Sequence, residues 1–336
     1  MPSFLSFVRD QYTPLALPQT PTDIADRTYI VTGANTGLGY ECTKRLFLMG
    51  AGRVIIGVRS TEKGEAALTK IRNETGRQSV GEVWELDLTS LTSVETFSKR
   101  IDRLDRLDAV IENAGMVAGH FQLVDGIESS LLVNVVATML LAFRALPKLQ
   151  ESARNFRIQP NLVIVSSNSA IDKAMNPSEE ALRTDIFDAL STQKGFNVMT
   201  QYPKTKLLEI YAVRKLASLL SVSVSSVTIN AVNPGLCYSE LDRNGSFSVR
   251  LLLKIMRALL ARSAEEGSRN LVQAAFASTE AHGTYFSECR IKEDDIPTWM
   301  TSKEGECTQN RVWEDLLKRL ESSGHSVDIA ALAVGK

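Results

Sequence analysis

Short apolar runs recur along this chain, and the gaps between them are long enough to hold a helix. They are TYIVTG at 28–33, RVIIGVR at 53–59, EVWELDL at 82–88, LDAVIENAG at 107–115, NLVIVSSNSA at 161–170 and VTINAVNPG at 227–235. None keeps a strict apolar and polar alternation, so each predicts a strand covered on both faces. The segments between them carry helical signals. These include Leu38 to Met49, TEKGEAALTKIRNETG, a Ser-capped amphipathic stretch at 90–104 and a long apolar helix at 125–149. Strands joined by helices pair in parallel, because each crossover lays its helix on a face of the sheet. The expected fold is α/β: a single doubly wound parallel sheet with helices on both faces. Such sheets bind ligands outside the carboxyl ends of their strands, so the turns there are where chemistry is sought.

The first of these turns is Thr32-Gly33-Ala34-Asn35-Thr36-Gly37-Leu38-Gly39, between a buried strand and a helix. Glycines let the backbone turn tightly and approach a pyrophosphate, and a helix N-terminus offers free N–H groups and a positive dipole. A plain strand-to-helix turn needs one glycine, not three. Gly33, Asn35, Thr36, Gly37, Leu38 and Gly39 are therefore candidate dinucleotide-binding residues. At the end of the second strand an Asp or Glu would select a free ribose 2′-hydroxyl. No acid lies between Gly52 and Thr61, whereas Arg59 and Lys63 are placed to pair with a 2′-phosphate. The expected cofactor is NADP(H).

A second feature is Tyr202 four residues before Lys206, one helical turn apart. Alone the spacing says little, since Tyr and Lys are common. Pro203 is tolerated only in a first helical turn, so the helix should begin close to Tyr202.

In order, the chain carries T-G-x-x-x-G-x-G at 32–39, Asp87-Leu88, Asn113-Ala114-Gly115, Asn134, Ser166-Ser167, Tyr202-x-x-x-Lys206 and Asn233-Pro234-Gly235. This series resembles the short-chain dehydrogenase/reductase family over about residues 26–287. Within the family the chain is most similar to retinol-dehydrogenase-like reductases and to fungal members of specialised metabolism. The resemblance implies a Rossmann domain and an active site of Asn134, Ser167, Tyr202 and Lys206. Tyr202 would exchange a proton with the substrate oxygen as hydride moves, with its pKa lowered by Lys206. Lys206 would also hold the nicotinamide ribose. Ser167, or Ser166 if the register differs by one, would position the carbonyl, and Asn134 would anchor a water linked to Lys206. Asp87 and Leu88 would meet adenine. Asn113, Ala114 and Gly115 would pass close beside the cofactor, and Pro234 and Gly235 would bend the chain near the nicotinamide. Cys237 and Tyr238 are expected at the substrate mouth, and His120 as a loop residue.

The chain departs from the family's shorter members at residues 169–200, expected to build a substrate wall or an interface, and has Thr205 where Ser is frequent. The expected organisation is an N-terminal arm (1–25), the Rossmann catalytic domain (26–287) and a C-terminal extension (288–321), then a mobile tail (322–336). Within the domain, a second insertion at 236–262 holds SVRLLLKIMRALLARS, read as a surface helix over a cleft. Pro14, Pro18 and Pro21 make 13–23 extended, while Phe4, Leu5, Phe7 and Val8 form a stripe suited to docking.

Composition narrows the function classes. Lys and Arg total 38 against 39 Asp and Glu, so no global field points to nucleic acid. The four cysteines form no C-x-x-C, and the three histidines no metal-ligand spacing, so no metal is expected and the thiols read as reduced. No signal-peptide pattern and no run of about 18 apolar residues is found, which reads as a cytoplasmic protein with little membrane contact. The leading expectation is an enzyme interconverting a ketone or aldehyde and an alcohol on a medium-sized apolar small molecule. The alternatives are isomerisation, dehydration or cyclisation on the same site, or nucleotide sensing without turnover. A homodimer or homotetramer is implied by resemblance.

Overall fold

The computed structural model describes residues 4–78, 81–238 and 257–334. Eight strands form one sheet: β1 (Thr28–Thr32), β2 (Arg53–Val58), β3 (Gly81–Glu85), β4 (Ala109–Glu112), β7 (Asn161–Val165), β8 (Thr228–Asn233), β9 (Tyr285–Ser287) and β10 (Arg290–Ile291). Among the described residues two further strands, β5 (Leu123–Val124) and β6 (Ile127–Glu128), make a small separate hairpin. The order across the sheet is β10-β9-β8-β7-β4-β1-β2-β3. All neighbours are parallel except β9 and β10. The chain winds outward from β1 through β2 to β3, then returns to place β4 on the other side of β1. That reversal opens a crevice beyond the carboxyl ends of β1 and β4, where such sheets bind ligands.

The main helices are α1 (Phe4–Tyr12), α2 (Gly37–Met49), α3 (Thr61–Thr75), α4 (Leu91–Ile101), α5 (Ser129–Phe156), α6 (Gln201–Leu219), α7 (Ala264–Ala275) and α8 (Lys303–Ser322). Ser60 and Ser90 cap α3 and α4 by accepting from the N–H three residues on, the expected start signal. One face of the sheet is covered by α2, α3 and α7, with Tyr29, Val31, Leu46, Phe47, Ile71 and Leu271 in its core. The other is covered by α4, α5, α6 and α8, around Ile30, Val110, Phe97, Phe143, Leu208 and Leu316.

Several boundaries differ from expectation for physical reasons. The hairpin turn at Asp125 and Gly126, both with positive φ, delays α5 until Ser129. The helix then runs through Pro147 to Phe156, because Leu149 and Ala153 continue its buried stripe. By length and composition α5 resembles a membrane span, yet 94% of its apolar window is packed inside the fold. Strand β9 is only three residues long, too short for periodicity to reveal. The chain expected as a tail returns as a short helix, Ile329–Val334, whose Leu332 is buried and whose carbonyl accepts from Gln150 Nε2 at 2.8 Å.

Residues 169–200 form short turns and two helices, Glu179–Arg183 and Ile186–Leu190. They are held by α8, where Asp315 accepts from Ile186 N at 2.9 Å. The insertion expected at 236–262 falls largely on 239–256, outside the described residues.

Candidate active site

At the carboxyl end of β1 the glycine turn is set by close contacts. Gly33 and Gly37 have φ of 66° and 60°, values that favour glycine. A Cβ on Gly33 would lie 2.9 Å from Ala114 Cα, and one on Gly39 would lie 2.6 Å from Asn113 Nδ2. The turn and the Asn113-Ala114-Gly115 passage therefore pack directly together. Asn113 Nδ2 donates to Thr32 O at 2.9 Å, and Ala114 N to Thr32 Oγ1 at 2.9 Å. The N–H groups of Gly37, Leu38 and Gly39 open α2 and have no carbonyl a turn earlier, so they face the crevice as an anion cradle. Asn35 and Thr36 complete the turn.

Arg59 and Lys63 are exposed at the end of β2 and the start of α3, and neither has an ion-pair partner among the described residues. Asp87 Oδ1 is bonded to Thr89 N and Oγ1 at 2.9 and 2.7 Å, leaving its other oxygen open. Leu88 is packed into the core, so only its backbone remains for a ligand.

Tyr202 is the second residue of α6 and Pro203 the third, where a missing N–H costs nothing. The two serines separate clearly. Ser166 is buried and donates to Lys206 O at 3.1 Å. Ser167 is partly open, lowers the pKa of the Tyr202 phenol, and has Ser169 Oγ 3.0 Å away. Ser167 is thus the serine that faces the tyrosine.

Lys206 is 4% exposed, with Nζ 5.7 Å from the centre of the Tyr202 ring. It donates to Val165 O at 2.9 Å and to Glu209 Oε1 at 3.0 Å. These bonds correct the expected tuning. Burial raises the Tyr202 pKa, Lys206 pulls it down, Glu209 pushes it up and Ser167 lowers it, for a net rise. The ammonium is shared with a carboxylate one turn further on, so it does not act on the phenol alone.

Asn134 lies inside a π-helical segment of α5, Leu132–Ala137, a helix irregularity frequent at functional sites. Its amide donates to Met116 O at 3.0 Å and Thr205 Oγ1 at 2.9 Å, and its Oδ1 accepts from Met116 N at 2.8 Å. Both donors are spent, so a water would have to use the second lone pair of Oδ1. That oxygen and Lys206 Nζ converge on Gly115, where a Cβ would stand 3.2 and 3.6 Å from them.

After β8, Asn233 Oδ1 accepts from Gly235 N at 3.1 Å and Asn168 N at 3.2 Å, tying the Pro234-Gly235 bend to the Ser167 loop. Gly235 has φ of 81°, and a Cβ there would meet Gln11 Oε1 at 2.7 Å. Gln11, on α1, donates to Leu236 O and Leu260 O at 2.9 Å each and accepts from Leu236 N at 3.0 Å. The N-terminal helix is therefore strapped to this loop. Cys237 is buried and Tyr238 exposed, while His120 is an exposed loop residue. Phe121 meets Phe196 edge-on at 5.8 Å, joining the loop after β4 to the 169–200 insertion. All four cysteines are free, and no cluster of metal-ligating side chains occurs among the described residues.

Gln11, Glu112 and Glu209 had not been singled out in the sequence. Glu209 carries a signal, three residues after Lys206 on the same helical face, and Glu112 is an acid within an apolar strand. Gln11 carries none, because its partners lie more than 200 residues away.

An alternating α/β sheet, an anion cradle at its switch point and a serine–tyrosine–lysine group define a nucleotide-dependent enzyme class. Residues 27–178 match the short chain dehydrogenase family. The chain is 38% identical to the short chain dehydrogenase/reductase dmxR8 of Cryptosporiopsis sp., over 91% of this chain and 94% of that one. It is 40% identical to the short chain dehydrogenase atnD of Emericella nidulans, over 85% and 91%. The short-chain dehydrogenase from Sphingobium yanoikuyae in complex with NADPH superposes with a TM-score of 0.56 at 22% identity, covering 78% of this chain and 87% of that one. Salutaridine reductase from Papaver somniferum gives 0.58 at 20%, covering 77% and 99%. These two structures speak for the fold alone. The chain belongs to the short-chain dehydrogenase/reductase family, and is accordingly an oxidoreductase that works with a nicotinamide cofactor.

Proposed function

We propose that this protein is an NADP(H)-dependent carbonyl reductase, or alcohol dehydrogenase in reverse, acting on a medium-sized apolar ketone, aldehyde or alcohol of specialised metabolism. The observation that carries the reading is Lys206 Nζ 5.7 Å from the Tyr202 ring and one helical turn on, with Ser167 acting on the phenol, beside the glycine cradle. The nicotinamide, when bound, supplies or accepts the hydride. Gly33 to Gly39 would hold its pyrophosphate, and Arg59 with Lys63 the 2′-phosphate. Asn113 to Gly115, Pro234 and Gly235 would flank it.

Ser167 would donate to the substrate oxygen and fix its position against Tyr202. Tyr202, protonated at neutral pH because burial outweighs Lys206, is then set to act as general acid in reduction. Lys206, anchored by Val165 O and Glu209, would place its remaining N–H between the phenol and the cofactor ribose. The apolar substrate is supported by Met199, 54% exposed and three residues before Tyr202, and by Tyr238, 51% exposed after the Gly235 bend.

The test is NADPH absorbance followed against a panel of apolar ketones and aldehydes, and NADP+ reduction against the matching alcohols. Turnover of at least one apolar carbonyl is expected. Conversion of such substrates without change in NADPH would instead identify isomerisation or dehydration on this site. For the cofactor, Arg59→Ala should weaken NADPH binding by about tenfold or more and leave NADH unchanged, as expected for loss of a charge-assisted phosphate contact. Equal affinities for both cofactors in wild type and variant would remove Arg59 from the account.

A further inference from the structure

Behind Lys206 lies a group of charges that the mechanism above leaves without a task. Glu112, the last residue of β4, is 3% exposed, and neither of its carboxyl oxygens has a hydrogen-bond partner. Its strand neighbour Val110 and the paired Ile164 of β7 belong to the core of the α5 and α6 face, so by strand alternation Glu112 points to that face. Lys206 binds the carbonyl of Val165, the residue that follows Ile164. Glu209 is 1% exposed, and both its oxygens lie within 3.0 Å of Lys206 Nζ. Only Oε1 has hydrogen-bond geometry, and Oε2 is left without a bond.

The charge balance is decisive. Two ionised carboxyls against one ammonium would leave an uncompensated negative charge among side chains at most 4% exposed, which burial disfavours. One proton on the two carboxyls restores neutrality. Like-charged carboxyls in one buried site resist ionising together, and they titrate as a pair.

We propose that Glu112 and Glu209 form a buried carboxyl pair that holds one proton behind Lys206, and that the charge on this pair governs how much of the ammonium's field reaches the Tyr202 phenol. This rests on the reading of Tyr202 as the acid–base group. With one proton held, pair and ammonium cancel. When the pair loses it, Lys206 is over-neutralised and the phenol becomes harder to ionise. The groups that face this centre are Glu112 from β4, Tyr202, Lys206 and Glu209 from α6, Ser167 from the loop after β7 and Tyr285 from β9. In support, burial and Glu209 hold the Glu112 pKa well above the usual carboxylate range, and burial pushes Glu209 up to about 7 against the pull of Lys206. Both are positioning residues, acting through Lys206.

The first measurement needs no substrate. The infrared band of a protonated carboxyl should be present in the wild-type protein at neutral pH, where exposed carboxyls are ionised. It should vanish in Glu112→Gln, where Glu209 is left to pair with Lys206. It should vanish also in Glu209→Gln, where Glu112 is the one carboxyl left to balance that ammonium. A band missing from the wild type, or surviving in both variants, overturns the shared proton.

The second measurement is the pH profile of kcat/KM. Above the pH at which the wild-type pair loses its proton, it carries two negative charges and Glu209→Gln only one. The limb that reports Tyr202 should therefore move to lower pH by about one unit in the variant, the size expected when one like charge is removed. A limb that stays in place, with kcat lowered uniformly, would mean that Glu209 only supports the helix. The two readings fail separately: if no carbonyl turns over but the band behaves as described, the pair stands and the reductase reading falls.

Discussion

The two faces of the sheet are covered by similar helices but bury different chemistry. On the α2, α3 and α7 face, Leu46, Phe47, Val54, Ile71 and Leu271 pack with polar groups that are neutral, such as Thr43 and Asn230. Asn230 donates to Ala274 O at 3.3 Å, which ties its amide nitrogen to α7. On the other face an apolar cluster of the same kind is broken near the strand ends by Glu112, Asn134, Lys206 and Glu209. Neutral buried groups need only a hydrogen bond. Buried charges need partners as well, and each partner becomes a determinant of the others' protonation. The first face therefore serves stability, and the second trades stability for an adjustable proton site.

The comparison is broken most directly by removing the central cation. Lys206→Met should destabilise the protein by about 3–5 kcal/mol at alkaline pH, because Glu209 is left buried and unpaired. The loss should shrink in acid, where Glu209 takes up a proton. Denaturant unfolding at two pH values checks both parts. On the opposite face Leu46→Ala should cost about 2–5 kcal/mol through a cavity, and that loss should not change with pH. A pH-dependent cost at Leu46, or a constant one at Lys206, would erase the contrast.

A smaller effect sharpens it. Glu112 and Glu209 bind protons more tightly folded than unfolded, so the native state carries the extra protons and stability falls as pH rises. For Glu209 that fall runs from the ordinary 4.5 to about 7, and Glu112 adds a fall of the same sign above 4.5. Glu112→Gln removes the titrating group, so its melting temperature relative to wild type should climb steadily across that range. A flat difference would show that Glu112 does not change charge.

Much of this molecule was readable in advance where a rule acts locally. The glycines of the first turn follow from positive φ and from contacts that leave no space for a Cβ. Ser60 and Ser90 announce the helices they cap, and Pro203 marks the start of α6. Structure built on distant partners was not readable. Strand β9 exists because Phe286 and its neighbours complete β8, and α1 is held by Gln11 against Leu236 and Leu260, by Tyr12 on Leu259 O and by Arg262 on Asp10 O. The direction of the Tyr202 pKa also escaped, since it depends on how Lys206 divides its charge between a phenol and a carboxylate. The Tyr202 and Lys206 spacing was visible, but their balance needed Glu209 beside them.

The central claim is that Tyr202 moves the proton while the rest of the fold binds the cofactor. It is tested by comparing Tyr202→Phe with wild type for NADPH affinity and for turnover of a carbonyl the wild type reduces. The account predicts NADPH affinity within about threefold and turnover lower by roughly 10²–10⁴, the range typical of general acid catalysis. Turnover equal to wild type, with NADPH bound as tightly, would contradict it.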